Sequence, residues 1–392
     1  MYKFAISAFA FIALGAMPFS AISNTFDVVQ TIQNNTAGFS GLDNPRTLRF
    51  NLQGTRAVAV SGDDNALVTF ALNENGLLFQ DQHFQSSDTQ PLLLTGASDA
   101  VFVNSNLILN TSFYDGALNV FAKDNAGKFN LVQSFSDEVS YKVVFDPTKN
   151  TSVQDTLGLF APWKISLSDD KNDAFIPSYK SNTVTAFKIT SANRVTWLGP
   201  IDGAEQTDMG GPVDVLINKK VDELIVAGYE GDVITLWHQT NGTYAMKQRI
   251  VKNDSNLRAL SKPQALASSP NFTIFYVAAA GSSSILVFER QQNGQYHLLQ
   301  TIDASQVGKP LNGVSSILLD ADSKRLYAAS ESSSGIAVFS VSATGKLTHI
   351  ENFDDLTNPL ANISALAFMA KTNLLAVPLA KQDTIKILKI RK

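Results

Sequence analysis

The chain has 392 residues, 44% of them hydrophobic and 17% charged, with a formal net charge of −4 and no cysteine. Its 31 lysines and arginines are scattered among 35 aspartates and glutamates, which excludes the basic surface that a nucleic-acid partner requires. Without cysteine there is neither a disulfide nor a cysteine-borne lipid anchor.

In chain order, residues 1–23 read as a signal peptide. Lys3 supplies a short positive region, an apolar run extends from Phe4 to Met17, and Ala21 and Ser23 form a small-x-small cleavage site. Cleavage there leaves a mature chain of residues 24–392, expected to be a single domain exported to the periplasm or medium. Pro18 and Ser20 interrupt the run short of the roughly 20 apolar residues that span a bilayer, so no stable membrane anchor is expected. An exported chain of this size without disulfides points to a bacterial source.

From residue 26 onward the chain repeats itself. Aligned on one aromatic strand position, the copies carry Phe70, Phe121, Phe187, Trp237, Phe288, Phe339 and finally Leu388, at spacings of 51, 66, 50, 51, 51 and 49. A turn residue follows each aromatic (Gly76, Gly127, Asn193, Gly242, Gly294, Gly345), as a turn with positive φ demands. Pro45, Pro162, Pro212 and Pro263 stand 25 positions ahead of their aromatics, where a proline can open a strand. Within one copy, residues 265–268, 275–279, 285–289 and 297–302 alternate apolar and polar residues as four short strands. Such a period predicts an all-β array of four-stranded antiparallel sheets, a seven-bladed β-propeller. The seventh copy stops after its third strand. Residues 26–32, Phe-Asp-Val-Val-Gln-Thr-Ile, match the fourth strands at 129–135 and 296–302, so the N-terminal strand is expected to complete the last blade and close the ring.

Candidate site residues come from comparing the copies. Eight positions before the aromatic, in the loop after the second strand, stand Gly62, Phe113, Tyr179, Tyr229, Ala280, Glu331 and Ala380. Three successive blades thus place Phe113, Tyr179 and Tyr229 in an arc at the channel mouth, as ligand-binding candidates suited to a sugar ring, lactone or peptide; the other reading is that they cap their own blades. Arg46, Trp163, Val213 and Gln264 follow the four prolines. Arg46, Lys164, Asp214 and Glu331 are the polar candidates for catalysis there, although an arginine at a blade mouth also serves as a structural ion-pair partner. The one long spacing holds about 15 extra residues within 137–157, a binding loop or lid on the same face, or a plain surface excursion. Acidic groups at 168–173, 320–322 and 62–64 fall at predicted turns, where Asp is an ordinary turn former. No nucleophile elbow, zincin or P-loop motif occurs, and neither metal nor cofactor is expected.

The segments Phe275-Tyr-Val-Ala-Ala with Ser284-Ile-Leu-Val-Phe, and Arg325-Leu-Tyr-Ala-Ala-Ser with Gly335-Ile-Ala-Val-Phe, resemble the YVTN-type repeats of lactonase-like seven-bladed propellers. That group includes 6-phosphogluconolactonases and carboxymuconate-cyclase-like proteins. The resemblance covers residues 26–392 and implies the fold; its motifs specify the blade and say little of activity. Lactonase-like members commonly carry His and Arg facing the channel, whereas this chain's four histidines, His83, His238, His297 and His349, fall on outer strands. The missing channel histidine favours an exported, monomeric binding module for a small molecule, glycan or protein. The alternative is a lactone hydrolase without histidine, in which Arg46 and Lys164 polarise a carbonyl and Asp214 or Glu331 activates water.

Overall fold

A computed structural model describes residues 25–391 apart from 88–90, 138–154, 203–207, 221, 253–255 and 356–357. The expected signal peptide and nearly all of the long insertion therefore lie outside the described residues.

The described strands form seven four-stranded antiparallel sheets. Six follow chain order, each beginning with the innermost strand: Pro45–Phe50 opens blade 1, Ala97–Asn104 blade 2, Ser166–Leu167 blade 3, Pro212–Asn218 blade 4, Pro263–Ser268 blade 5 and Val314–Leu319 blade 6. Blade 7 joins the two ends of the chain. Its inner three strands are Ala367–Met369, Leu374–Leu379 and Thr384–Ile390, and its outermost is Phe26–Gln33, antiparallel to Thr384–Ile390 with Phe26 opposite Ile390 and Gln33 opposite Thr384. The fold is the seven-bladed propeller that the repeat predicts, closed by the N-terminal strand.

Each third strand buries its aromatic: Phe70, Phe121, Phe187 and Phe339 are wholly inaccessible, and Trp237 and Phe288 are 1% exposed. Blades pack face to face, so these rings fill the space between neighbouring sheets. The turn after them works as expected, with positive φ at all six positions from Gly76 to Gly345. At Gly345 there is also no room, since a Cβ would lie 2.5 Å from Ile274 of the preceding blade.

Between the third and fourth strands every blade has a bulge, beside the aromatic in blades 1 to 6 and beside Leu388 in blade 7, for example between Val287 and Phe288 and between Val120 and Phe121. A bulge re-aims the side chains beyond it, and in five blades it turns a glutamine toward the next blade, whereas blade 3 has Gly199 there. The side chains of Gln30, Gln82, Gln133, Gln248 and Gln300 each donate to the carbonyl, and accept from the N–H, of the first residue in the next blade's fourth strand: Leu78, Phe129, Val195, Tyr296 and Leu347, at 2.8–3.1 Å. At the joint between blades 6 and 7 the same place is held by Glu351, whose Oε1 is buried without a partner. A carboxylate cannot supply the donor that glutamine does.

Two outcomes follow from this closure. Deleting residues 26–33 strips Phe26 and Ile32, 2% and 0% exposed, from the core and should lower Tm by about 10 °C or more in a thermal melt; an unchanged Tm would refute closure by this strand. Burial raises the Glu351 carboxyl above its ordinary value against the opposing Thr25 N–H. Stability from that joint is therefore complete below the ordinary carboxyl range and lost as pH rises through the raised value. Glu351→Gln, which restores the donor, should stabilise by about 0.5–1.5 kcal/mol at pH 7 and by much less at pH 4.

Candidate functional site

All seven candidate residues line one cavity of about 810 Å³ at the channel mouth. Arg46 is the second residue of blade 1's innermost strand, and its guanidinium reaches across blade 7 to Glu331 of blade 6 in a two-pronged pair, Nη1 to Oε1 at 2.5 Å and Nη2 to Oε2 at 3.0 Å. Arg46 Nη1 also lies 3.4 Å from Asn44 Oδ1. Both members are half-buried, with side chains 23% and 29% exposed. One lone pair on each carboxylate oxygen and the remaining guanidinium N–H groups are left for a ligand.

Lys164 and Asp214 form a second pair, Nζ to Oδ2 at 2.8 Å. Asp214 is committed further. It accepts from its own neighbour Val215 N at 3.0 Å and from Leu266 N of blade 5 at 2.9 Å. Asp99 of blade 2 does the same at its joint. It accepts the N–H of Ala100 and of Ile165 from blade 3, each at 2.9 Å, and holds Arg49 of blade 1 through both oxygens. Asp99 and Asp214 are therefore buried latches between blades, and Glu331 is a mouth carboxylate with capacity to spare, paired with Arg46.

The aromatic residues form a continuous wall on blades 2 to 4. Phe113 lies edge-on to Trp163 at 5.5 Å, Trp163 is 6.4 Å from Tyr179, and Tyr179 is 6.4 Å from Tyr229. Lys262 sits over the Tyr229 ring at 5.2 Å and Lys180 over Tyr179 at 5.0 Å. The wall both packs and faces the cavity: Trp163, Tyr179 and Tyr229 lean on a buried core cluster yet remain partly exposed. Tyr179 donates its hydroxyl to Glu230; burial first, then that carboxylate, holds the phenol well above its ordinary pKa, so it stays a neutral donor.

Trp163, Glu230, Arg49 and Asp99 have no role in the sequence reading. Trp163 carried a signal, since it follows Pro162 as Arg46 follows Pro45. The Arg49–Asp99 and Lys164–Asp214 pairs also carried one: each spans 50 residues, one repeat. No histidine lines the cavity; His83, His297 and His349 lie on fourth strands and His238 on a third. The acidic turns lie outside the cavity apart from Asp63; Asp170 and Asp320 accept hydrogen bonds from their own turns. Asp137 ties the ends of the insertion together by accepting from Thr156, Leu157 and Leu159 N–H at 2.7–3.1 Å. Its root thus sits beside Phe160 and Ala161, against which Phe113, Tyr114 and Tyr179 pack.

The different commitments of the two carboxylates give an expected outcome. Asp214→Ala orphans a buried backbone N–H and a lysine and should destabilise by about 2–4 kcal/mol. Glu331→Gln opens no buried joint and should move Tm by less than about 2 °C. Thermal melts of the two variants check this, and equal losses would contradict the assignment of Asp214 as the latch.

A family model described as "Lactonase, 7-bladed beta-propeller" matches residues 161–390. Among solved structures, a putative 6-phosphogluconolactonase from Bacteroides fragilis aligns with a TM-score of 0.62 at 18% identity, covering 89% of this chain and 91% of that one. The Pseudomonas aeruginosa periplasmic gluconolactonase PpgL aligns with a TM-score of 0.62 at 11% identity, covering 89% of each chain. The Swd1 propeller domain of Myceliophteria thermophila aligns with a TM-score of 0.63 at 9% identity, covering 93% of this chain and 100% of that one. At these identities the likeness is one of fold. No curated protein matches the chain.

Proposed function

The chain belongs to the lactonase family of seven-bladed β-propellers, and from that premise we propose that its channel mouth binds and hydrolyses a lactone. The observation that carries this reading is the Arg46–Glu331 pair, which presents N–H donors and a carboxylate with free lone pairs to one cavity, opposite an aromatic wall. Family membership and the solved lactonases of like fold support hydrolysis over a binding role alone.

In this mechanism the lactone lies with its apolar face on Trp163, Tyr179 and Tyr229 and its carbonyl toward Arg46. Water adds to the carbonyl carbon and its proton passes to Glu331. The N–H groups of Arg46 stabilise the oxyanion, with Lys164 a second cation on the cavity wall. Collapse breaks the ring C–O bond, and Glu331 returns the proton to the departing alkoxide, giving the open hydroxy acid. Asp214 holds Lys164 in place and takes no proton. The composition of residues 1–23 supports placing this activity outside the cytoplasm, and N-terminal sequencing of the exported protein should begin at Asn24.

One observation favours the second reading, a binding module: among the described residues, all three cations of the cavity wall, Arg46, Arg49 and Lys164, are already paired with carboxylates. Titrimetric assay against a panel of γ- and δ-lactones separates the two readings. Hydrolysis above background is expected, with Glu331→Gln lowering kcat by about 100-fold or more and Tyr229→Ala raising KM roughly 5- to 30-fold. Changing all four histidines to Gln should leave kcat unaltered. Ligand binding without turnover would establish the binding module instead.

A further inference from the structure

Below the mouth the channel wall changes character. In five of the seven blades the innermost-strand residue that pairs three positions back from the mouth end of the second strand faces the cavity, and these residues form one level. They are Arg49 opposite Val58, Ser166 opposite Phe175, Leu216 opposite Ile225, Leu318 opposite Tyr327 and Ala367 opposite Ala376, and all five line the cavity. Phe50 and Phe368, one pair deeper, line it too. Arg49 is held by Asp99 through both oxygens, so the side chains left to meet a ligand at this depth are mainly apolar. Leu216, Leu318, Phe50 and Phe368 are only half-buried. Each keeps apolar surface open to the channel, and a ligand group that covered it would gain the free energy of removing that surface from water. Phe50 stands four positions along the strand from Arg46, about 13 Å, enough for a substituent to extend beneath a ring held at the mouth.

The charges point the same way. Arg46, Arg49 and Lys164 are each paired with a carboxylate, Glu331, Asp99 and Asp214. A phosphate monoester would have to compete with those carboxylates for the cations or lie beside them unpaired, and both are costly in a partly desolvated site.

We infer that the mid-channel level of Leu216, Leu318, Phe50 and Phe368 is a subsite for an apolar substituent, so that the preferred ligand is an uncharged cyclic ester carrying an alkyl or aryl chain and not a sugar-phosphate lactone. The ester part of this statement rests on the hydrolysis proposed above. The apolar subsite does not, and the test keeps the two apart.

Binding is measured by titration calorimetry with 2-alkylcyclopentanones, from methyl to hexyl, which keep the ring carbonyl but contain no ester to cleave. Hydrolysis is measured separately with γ-butyrolactone, γ-caprolactone, γ-nonalactone, glucono-δ-lactone and its 6-phosphate. Kd for the ketones should fall about fourfold per added methylene over the first several carbons. Leu318→Asn and, independently, Leu216→Ser should flatten that gradient, so that misfolding of one variant still leaves the other to decide. Among the lactones kcat/KM should rise with chain length, with the 6-phosphate below glucono-δ-lactone. A Kd indifferent to chain length, a gradient untouched in both folded variants, or preference for the 6-phosphate would overturn the inference while leaving hydrolysis standing. A chain-length gradient in binding with no lactone cleaved would support the subsite and remove the hydrolysis. No binding of any ketone and no cleavage of any lactone would remove both.

Discussion

The pairing of Phe26–Gln33 with Thr384–Ile390 is the constraint on which the candidate site depends. Among the described residues blade 7 alone is built from two distant stretches of chain, and the Arg46–Glu331 pair spans that blade, joining blade 1 to blade 6. Those residues are 285 apart in sequence and meet only because the ring is closed. The closing joint is reinforced at the mouth by Ser364, whose hydroxyl donates to Pro45 O at 2.6 Å. A propeller with a loose seventh blade would keep six packed sheets and lose the geometry of its mouth.

Two polar devices hold the blades together at different radii. At the outer edge, glutamine amides clamp the start of the next fourth strand with a donor and an acceptor at once. Near the channel, Asp99 and Asp214 accept backbone N–H groups from the following blade while holding a basic side chain. Removing one partner from such a bond leaves a desolvated group behind, which costs more than the bond itself contributes. The inner device also shapes function. Most of the charge at the mouth is engaged in blade-to-blade contacts, and the proposed chemistry falls to the pair that joins no backbone N–H, Arg46 with Glu331.

Much of the fold was legible because a propeller repeats its physics along the chain. The buried aromatic, the turn of positive φ and the alternating strands recur at a fixed spacing, and the missing fourth strand of the last copy was visible as a match at residues 26–32. The glutamines of the fourth strands were visible too, since Gln30, Gln133 and Gln300 stand in the very segments that match. Their role was not, because it depends on a bulge that no residue pattern announces and on the next blade's backbone. At the site, loop positions common to all blades marked the cavity wall, and a one-repeat spacing marked two of the ion pairs, but how far each carboxylate is committed could not be read. The sequence shows Asp214 and Glu331 as equivalent acids at a mouth. Only packing shows that one is engaged by Val215, Leu266 and Lys164, and that the other meets a single arginine.

A ring of seven similar blades offers a ligand seven similar surroundings, so binding in one orientation requires that the repeats differ. They differ at the loop after the second strand, where blades 2, 3 and 4 present Phe113, Tyr179 and Tyr229, blade 6 presents Glu331, and blades 1, 5 and 7 present Gly62, Ala280 and Ala380. The mouth is thereby divided into an aromatic wall and a charged side, with small residues between them. An aromatic face offers contact area and a weakly negative surface, whereas the Arg46 side offers N–H donors. A ring with one carbonyl satisfies both sides in a single pose, and turning it end for end places the carbonyl against the aromatic faces, where its lost hydrogen bonds with water are not replaced. The same division explains why pairing the cations is compatible with the proposed function. A free arginine and lysine would bind any anion in several poses, whereas a pair of near-neutral charge beside an aromatic wall selects for shape and for the direction of a dipole.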